Sequence, residues 1–310
     1  MKKNNIIAIA AIALTFTACS NDNDFTTNNE GKDTPISLSV GVGELSVVTR
    51  AENTATLADG ELGLYITKNG EKTLVGKYLC NNAKFTYSNS GWTCGTTYYW
   101  ASDNATINYF AYFPFQETEG TAATSLLWDT STQTGVGDEG YDPLDLLYVN
   151  GSATNTASDH GINITLGHVC SKLIVNVSKL GSEVDQNATV SSIKLGGIYP
   201  KGDFNLSGDN AGTWTVDENT TGDITMNKLG TEATGMNSTF ESIIIPQTAA
   251  FSLTITLSNN ATYQMSIPYH TFEKGTCYTL TMQVGQDKVT IGNITQTPWQ
   301  DVSGGELTAQ

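Results

Sequence analysis

Short runs in which apolar and polar residues alternate recur along the chain, and this pattern predicts β-strands. The first run covers residues 36–48, and a phase shift at Gly43 and Glu44 divides it as a β-bulge would. A strand of this kind buries one face and exposes the other. The side chains predicted to point into the protein are those of Ile36, Leu38, Val40, Val42, Leu45 and Val47.

Similar runs follow as far as residue 299, separated by segments rich in Gly, Asn and Ser, and no stretch has the pattern of an amphipathic helix. Many short strands with frequent turn residues predict an all-β fold made of β-sandwiches. The further predicted strands are residues 60–65, 72–79, 85–87, 92–100, 106–115, 144–149, two runs within 162–177, 190–198, 202–206, 212–216, 240–246, 251–257, 263–267, 278–284 and 289–299.

The length of the chain predicts two domains, because 310 residues exceed the usual size of one, about 100–150. The polar stretch at residues 150–161 is the predicted boundary. We therefore expect an N-terminal β-sandwich over residues 35–158 and a C-terminal β-sandwich over residues 159–310.

Residues 1–18 resemble the signal peptide of a bacterial lipoprotein. Two lysines precede an apolar run that is too short to span a membrane, and a small residue stands just before Cys19. This resemblance implies that Cys19 is acylated, with palmitate among the chains, and is held on the outer membrane. The alternative is an ordinary secretory signal with a chance cysteine. The polar residues 19–34 predict a flexible tether.

The composition limits the partners. The formal net charge is −16, and charged residues make up only 15% of the chain. Nucleic acid needs a basic face for its phosphates, so we expect no nucleic acid partner.

Of the five cysteines, four remain when Cys19 is set aside, and an even number in an exported chain allows two disulfides. Cys80 and Cys94 flank a predicted hairpin and are the better candidates for a disulfide. Cys170 and Cys277 lie in apolar strands and could either pair or remain buried thiols.

The sequence contains no catalytic or metal-binding motif, so we expect no enzyme, no metal and no cofactor. The three histidines are far apart. Acidic residues at 138–145 could bind Ca²⁺, although they lack EF-hand spacing, and a solvated loop is the alternative. Aromatic residues at 98–115 could form a platform for sugars or, alternatively, a core with cross-strand pairs.

Short motifs along nearly the whole exported chain resemble, in their order, those of the Bacteroidales fimbrillin family, the subunits of type V pili. No single motif is specific. The matching pieces are the signal around Cys19, Thr49–Ala51, Leu62–Tyr65, Tyr99–Trp100, Phe110–Pro114, Asp145–Tyr148, Gly167–Leu173, Gly202–Leu206, Lys274–Tyr278, Ile294 and Trp299.

The resemblance implies two transthyretin-like β-sandwiches and export to the cell surface as a lipoprotein. It implies that an extracellular arginine-specific protease cuts between Arg50 and Ala51. It also implies strand exchange with identical or related fimbrial subunits, in which a C-terminal strand of one subunit fills the groove left by another's N-terminal strand. Residues 36–50 would be the removable strand.

Arg50 is the only arginine in the chain, and every basic residue after it is a lysine. A chain meant for an arginine-specific protease needs one exposed arginine and no second one, because the two side chains are not equivalent. A compositional bias towards lysine is the alternative.

We predict the donor strand within residues 289–302, where Val289, Ile291, Ile294 and Trp299 supply spaced apolar side chains near the chain end. The alternative is that these residues form only the last strand of the second sandwich. The predicted function is a fimbrial subunit that supports adhesion to a host or bacterial surface ligand. A monomeric, lipid-anchored adhesin or glycan-binding protein is the alternative.

Overall fold

The computed structural model of the protein describes residues 34–43, 55–57, 59–67, 78–88, 91–117, 125–136, 141–178, 180–230, 233, 236–285 and 289–299. Several predicted features lie outside these residues. They are the lipidation site Cys19, the strand positions Leu45 and Val47, the cleavage site Arg50–Ala51, and most of the predicted strand at 72–79.

The described residues form strands, turns and loops and contain no helix, which confirms the predicted all-β fold. That part of the chain accordingly offers no helix able to cross a membrane. The strands are β1 (Ser37–Val42), β2 (Ala55–Thr56), β3 (Glu61–Thr67), β4 (Tyr78–Ser88), β5 (Gly91–Thr93), β6 (Thr106–Phe113), β7 (Ser125–Asp129), β8 (Leu147–Thr154), β9 (Gly161–His168), β10 (Ser171–Ser178), β11 (Val190–Ile198), β12 (Lys201–Asn205), β13 (Trp214–Val216), β14 (Gly222–Thr225), β15 (Asn227–Lys228), β16 (Met236–Ile244), β17 (Gln247–Leu257), β18 (Thr262–Phe272), β19 (Thr276–Val284) and β20 (Val289–Pro298).

The first sheet has eight strands in the order β2-β1-β9-β8-β6-β3-β4-β5. Backbone bonds join its two ends. The Ile36 N–H donates to the Tyr98 carbonyl over 2.8 Å, and the Trp100 N–H donates to the Thr34 carbonyl over 3.1 Å. The residues before β1 therefore meet the segment after β5, and the sheet encloses one face.

The enclosed face forms the first core, to which β1, β3, β4, β6 and β9 contribute alternate residues. The alternation of the sequence produces it, because every second side chain of a strand points to the same face. Its buried members are Val40, Val42, Leu62, Leu64, Ile66, Cys80, Ala83, Phe85, Trp92, Trp100, Ile107, Tyr109, Ala111, Phe113, Leu147, Ile162, Ile164 and Leu166.

Two further sheets enclose a second core. A five-stranded sheet, β15-β16-β10-β19-β20, and a four-stranded sheet, β14-β11-β17-β18, contribute alternate residues to a single apolar cluster. Two sheets that interdigitate side chains in this way form a β-sandwich. Members of this core include Leu173 and Val175 of β10, Leu253 of β17 and Leu280 of β19.

A third apolar cluster, which we call the shared cluster, joins the two halves of the chain. Strands β3, β6 and β8 are buried on their outer face as well and place Tyr65, Phe110 and Tyr148 there. Strand β7 pairs with β12 in a three-stranded sheet, β13-β12-β7, with Leu126 opposite Phe204. The buried members are Tyr65, Phe110, Tyr112, Leu126, Trp128, Leu146, Tyr148, Val169, Cys170, Phe204, Leu206, Ile243, Ile245 and Trp299.

Aromatic side chains of the shared cluster satisfy their polar ends on backbone carbonyls. The Tyr148 hydroxyl donates to the Leu206 carbonyl over 2.6 Å, and the Trp214 indole N–H donates to the Val169 carbonyl over 2.7 Å. Buried tyrosine and tryptophan need such partners. Both bonds link groups that are far apart in sequence and therefore position the β12–β13 hairpin on the first half.

Two glutamine side chains take the place of a neighbouring strand. The Gln133 amide accepts from the Ile243 N–H over 2.7 Å and donates to the Ile243 carbonyl over 3.1 Å. Gln247 accepts from the Tyr199 N–H and donates to its carbonyl, each over 2.8 Å. Each amide satisfies both backbone groups of one residue, as a paired strand would.

The predicted domain boundary at residue 158 does not coincide with a change of sheet. Strand β8 continues through the polar residues 150–154, because its backbone pairs with β6 along its whole length. Strand β9 follows the predicted boundary, yet it pairs with β1 and β8 in the first sheet. The chain changes sheet between His168 and Ser171.

Other strand predictions differ in detail. Strand β5 ends at Thr93 instead of residue 100, and β4 is one continuous strand to Ser88. Strand β7 is not predicted, because Leu126 and Leu127 are both apolar although only the first is buried. The aromatic residues of β6 are buried on both faces, so they form core and not a platform for sugars.

Replacing Leu126 by Ala should lower the free energy of unfolding by about 2–5 kcal/mol, because large-to-small changes leave a cavity. Leu126 is 1% exposed in the shared cluster, whereas its neighbour Leu127 is 68% exposed and serves as the matched control. Leu127→Ala should change the same quantity by less than about 0.5 kcal/mol. Denaturant unfolding measures both; equal effects would show that the shared cluster does not stabilise the chain.

Candidate functional site in the first and last strands

Strand β1 is held along its whole length by only one neighbour. It runs parallel to β9, with residues 37–42 opposite residues 161–166. On its other edge, the described residues pair with it only at Gly41 and Val42, which lie opposite β2. An edge with free backbone groups is a place where another strand can add.

The side chains of β1 alternate as predicted. Val40 and Val42 are 3% and 6% exposed and belong to the first core, and Ile36 and Leu38 are partly buried against it. Ser37 and the serine after Leu38 are exposed. The buried face of β1 is therefore part of the core, and its other face is solvated.

The slot that β1 fills is apolar. The register sets Val40 beside Ile164 of β9, and both lie in the first core. Trp100, next to the start of β1, is 1% exposed, and its indole N–H donates to the His160 carbonyl over 2.8 Å. A replacement strand would need apolar side chains at alternate positions to fill this slot.

The energy of docking decides what a cut after β1 would do. Full burial of two valines contributes about 3–6 kcal/mol before entropy. That is comparable with the ~5–15 kcal/mol by which a whole domain is stable. Cleavage alone would therefore leave β1 in place, and a competing strand would be needed to remove it.

Strand β20 is the edge strand of the five-stranded sheet and pairs antiparallel with β19. Its register with β19 shifts around Asn293, where the apolar phase of the sequence breaks. Val289 and Ile294 are partly buried against the second core, and Ile291 is 40% exposed. In this conformation, residues 289–298 form the last strand of the second sandwich.

Trp299 follows β20 and behaves differently from it. Its side chain is 6% exposed and lies in the shared cluster instead of the second core. Its backbone N–H donates to the Gly275 carbonyl over 2.9 Å. Because β1 and β20 lie in different sheets, the structure does not bring the predicted removable strand and donor strand of one chain together.

The predicted disulfide between Cys80 and Cys94 is not present, since the structure holds these residues, Cys170 and Cys277 as free thiols. The Cys80 thiol lies in the first core and donates to the Leu64 carbonyl over 3.2 Å. Burial raises the pKa of Cys80 to about 12, and burial also raises the pKa of Cys170 and of Cys277. High thiol pKa values disfavour the thiolate that forms disulfides.

The described residues assemble no metal-binding group. His160 bonds to Asn155 over 2.7 Å, and buried His168 bonds to Asp145 over 2.8 Å. Burial lowers the pKa of His270. These partners give the histidines structural roles, and they also occupy one of the acidic side chains that could have bound Ca²⁺.

Comparison with known proteins yields one family model, described as fimbrillin-like, which matches residues 49–299. None of the curated proteins matches the chain. The fold is similar to that of a protein from Bacteroides uniformis with a proposed role in cell adhesion, at a TM-score of 0.60 and 20% identity, over 87% of this chain and 100% of that one. 

Two more solved structures are similar. One, from Bacteroides ovatus and also with a proposed role in cell adhesion, has a TM-score of 0.64 and 16% identity over 87% of this chain and 99% of that one. The other, a fimbrial protein from Bacteroides vulgatus, has a TM-score of 0.52 and 16% identity over 86% of this chain and 99% of that one. At these identities the similarity establishes the fold.

Val40→Asp should detach β1 from β9, because it places a carboxylate in the first core. Ser39→Asp is the matched control, since it adds the same charge to the exposed face of the same strand. Hydrogen exchange by mass spectrometry should show amides 37–42 and 161–166 exchanging at least about tenfold faster in Val40→Asp only. Equal exchange in the two variants would mean that the buried valine does not hold the strand.

Proposed function

Because the chain belongs to the fimbrillin-like family, we propose that it is a structural subunit of a cell-surface fimbria, matured by cleavage after Arg50 and polymerised by strand exchange. The family is one of structural proteins and not of enzymes. The observation that carries the proposal is the position of β1. This strand has an apolar face, one full-length partner, and the only arginine of the chain a short way after it.

Export would proceed as a lipoprotein of the outer membrane. Acylated Cys19 would anchor the subunit, and residues 19–34 would tether it, as the sequence of the leader suggests. An arginine-specific surface protease would then cut between Arg50 and Ala51. One cut would separate the rest of the chain from both its lipid and the tether of β1.

The cut would act on β1 through effective concentration. While the chain is intact, its linkage keeps β1 near the slot at roughly millimolar or higher effective concentration. After the cut, a strand from another subunit competes on equal terms. The parallel ladder to β9 and the apolar slot beside Ile164 provide main-chain bonds and side-chain sites for that strand.

We propose that the donor comes from residues 289–302 of a neighbouring subunit. Strand β20 supports this assignment, because it is an edge strand with one ladder and exposes Ile291. It also lies close to a chain end, where Val289 and Ile294 supply spaced apolar side chains. The partners of the protein would then be identical or related fimbrial subunits, and the assembled fimbria would support adhesion.

The second candidate function is a lipid-anchored adhesin or glycan-binding protein that stays monomeric. Two solved structures with this fold have a proposed role in cell adhesion, which favours it. The two functions differ in the fate of residues 20–50. A monomeric adhesin keeps them and its lipid at the cell surface, whereas a fimbrial subunit loses them.

Arg50→Ala should keep the lipid on the chain and abolish polymerisation, because it removes the only site for the protease. Glu52→Ala is the control, since it changes a nearby residue that is not at the cleaved bond. N-terminal sequencing of the surface form should find Ala51 first in the wild type and in the control. Wild-type fibres that begin at Cys19, or normal fibres from Arg50→Ala, would contradict cleavage as the trigger.

Deletion of residues 289–310 should leave a cleavable subunit that cannot donate, whereas deletion of residues 300–310 alone should still allow fibres. The difference follows from β20, which only the longer deletion removes. Electron microscopy and sedimentation of protease-treated chains measure assembly, and exchange of the β11 and β17 amides checks the fold. Normal fibres from the longer deletion would place the donor elsewhere in the chain.

A further inference from the structure

The last strand is held more firmly at its end than along its length. Most side chains of β20 are exposed, among them Ile291 at 40%. Trp299, directly after the strand, is 6% exposed. The strongest side-chain contact of this segment is therefore at residue 299.

Two side chains contact the Trp299 indole. The His168 imidazole stacks on it, with ring centroids 4.2 Å apart and planes 7° from parallel. The Lys172 ammonium lies over the ring, 5.5 Å from its centroid. Offset aromatic stacking and a cation over an indole face are both attractive, and both strengthen when water is excluded.

Carboxylates hold both of these side chains in place. His168 Nδ1 lies 2.8 Å from the Asp145 carboxylate, and Lys172 Nζ lies 2.7 Å from that of Glu241. Burial opposes the charged form of Lys172, but Glu241 and then Asp145 outweigh it, so the pKa of Lys172 lies above its ordinary value. Lys172 therefore stays charged and tied in position over the indole at neutral pH.

This arrangement lies at the end of the strand that holds β1. The ladder between β1 and β9 covers residues 161–166, and the Gly43 N–H extends it by donating to the Leu166 carbonyl over 2.8 Å. His168, which contacts Trp299, is the last residue of β9, two positions further on. The first and last strands of the protein thus contact the same strand.

We propose that His168 and Lys172 form a binding site for the indole of Trp299 and that β9 couples this site to β1, so that loss of the first strand releases the last one. Such coupling is reciprocal, and loss of the indole contact should loosen β1 by the same factor. The consequence for assembly rests on the proposed function: a subunit would become a donor only after its own first strand has been displaced. The binding site and the coupling are properties of the single chain.

Trp299→Ala tests the binding site on the uncleaved full chain, with Ile291→Ala as the matched control on the same segment. Amides 289–299 should exchange at least about tenfold faster in Trp299→Ala, the size expected when a buried aromatic contact is lost. The control should stay within about twofold of the wild type, because Ile291 is exposed. Unchanged exchange in Trp299→Ala would overturn the site.

The contribution of the imidazole ring is tested by His168→Ala against His168→Phe. Both variants leave Asp145 without its histidine, but only phenylalanine can still stack on the indole. Faster exchange at residues 289–299 in His168→Ala, restored in His168→Phe, supports the site; equal exchange in both overturns it. If Trp299→Ala also loses protection in β11 and β17, and has therefore unfolded, Trp299→Leu and this pair decide the question.

The coupling has two opposite tests. Val40→Asp should speed exchange at residues 289–299, and Trp299→Ala should speed exchange at residues 37–42, by similar factors. The absence of either effect would refute coupling through β9. Fibre formation is not measured here, so a chain that shows both effects but never polymerises would leave the inference intact and contradict the proposed function.

Discussion

Burial of β3, β6 and β8 on both faces is the constraint on which the rest of the molecule depends. One face of these strands lines the first core, and the other supplies Tyr65, Phe110 and Tyr148 to the shared cluster. Tyr65 stacks on Phe110 at 4.5 Å, so the outer face is as well packed as the inner one. Because two clusters use the same strands, the second half of the chain stabilises the first.

This arrangement explains how a sheet could lose an edge strand and persist. The first core contains many residues besides Val40 and Val42, and its central strands keep their outer contacts whether or not β1 is present. The cost of losing β1 is then local: two valines, one ladder and the exposure of residues such as Ile164. Removal of a central strand would instead open both clusters at once.

Local pattern predicted much of this fold, and long-range contacts account for what it missed. Strands β1 and β17 follow from alternation, because one face of each is solvated. The second half of β8 looks like a linker, because its side chains are polar while its backbone is fully paired with β6. Neither alternation nor spacing reports which sheet a strand joins, so β9 was assigned to the wrong side of the boundary.

The candidate site divides in the same way. The alternation of Ile36, Leu38, Val40 and Val42 identified the buried face of β1, and the phase break near Asn293 matches a shift of register in β20. The setting of Trp299 was not predictable, because its partners come from strands far earlier in the chain. A motif that contained His168 and Lys172 was noticed, but nothing in its spacing indicates an indole.

The amide of Gln133 has a consequence for solubility. Strand β16 has an outer edge that β15 covers only at Glu241 and Phe240, and Gln133 occupies the next free position at Ile243. An uncovered edge there would pair with any extended chain, including another copy during export. A single side chain thus blunts an edge that is not meant for assembly, which leaves unwanted aggregation less favourable while β1 and β20 stay available for exchange.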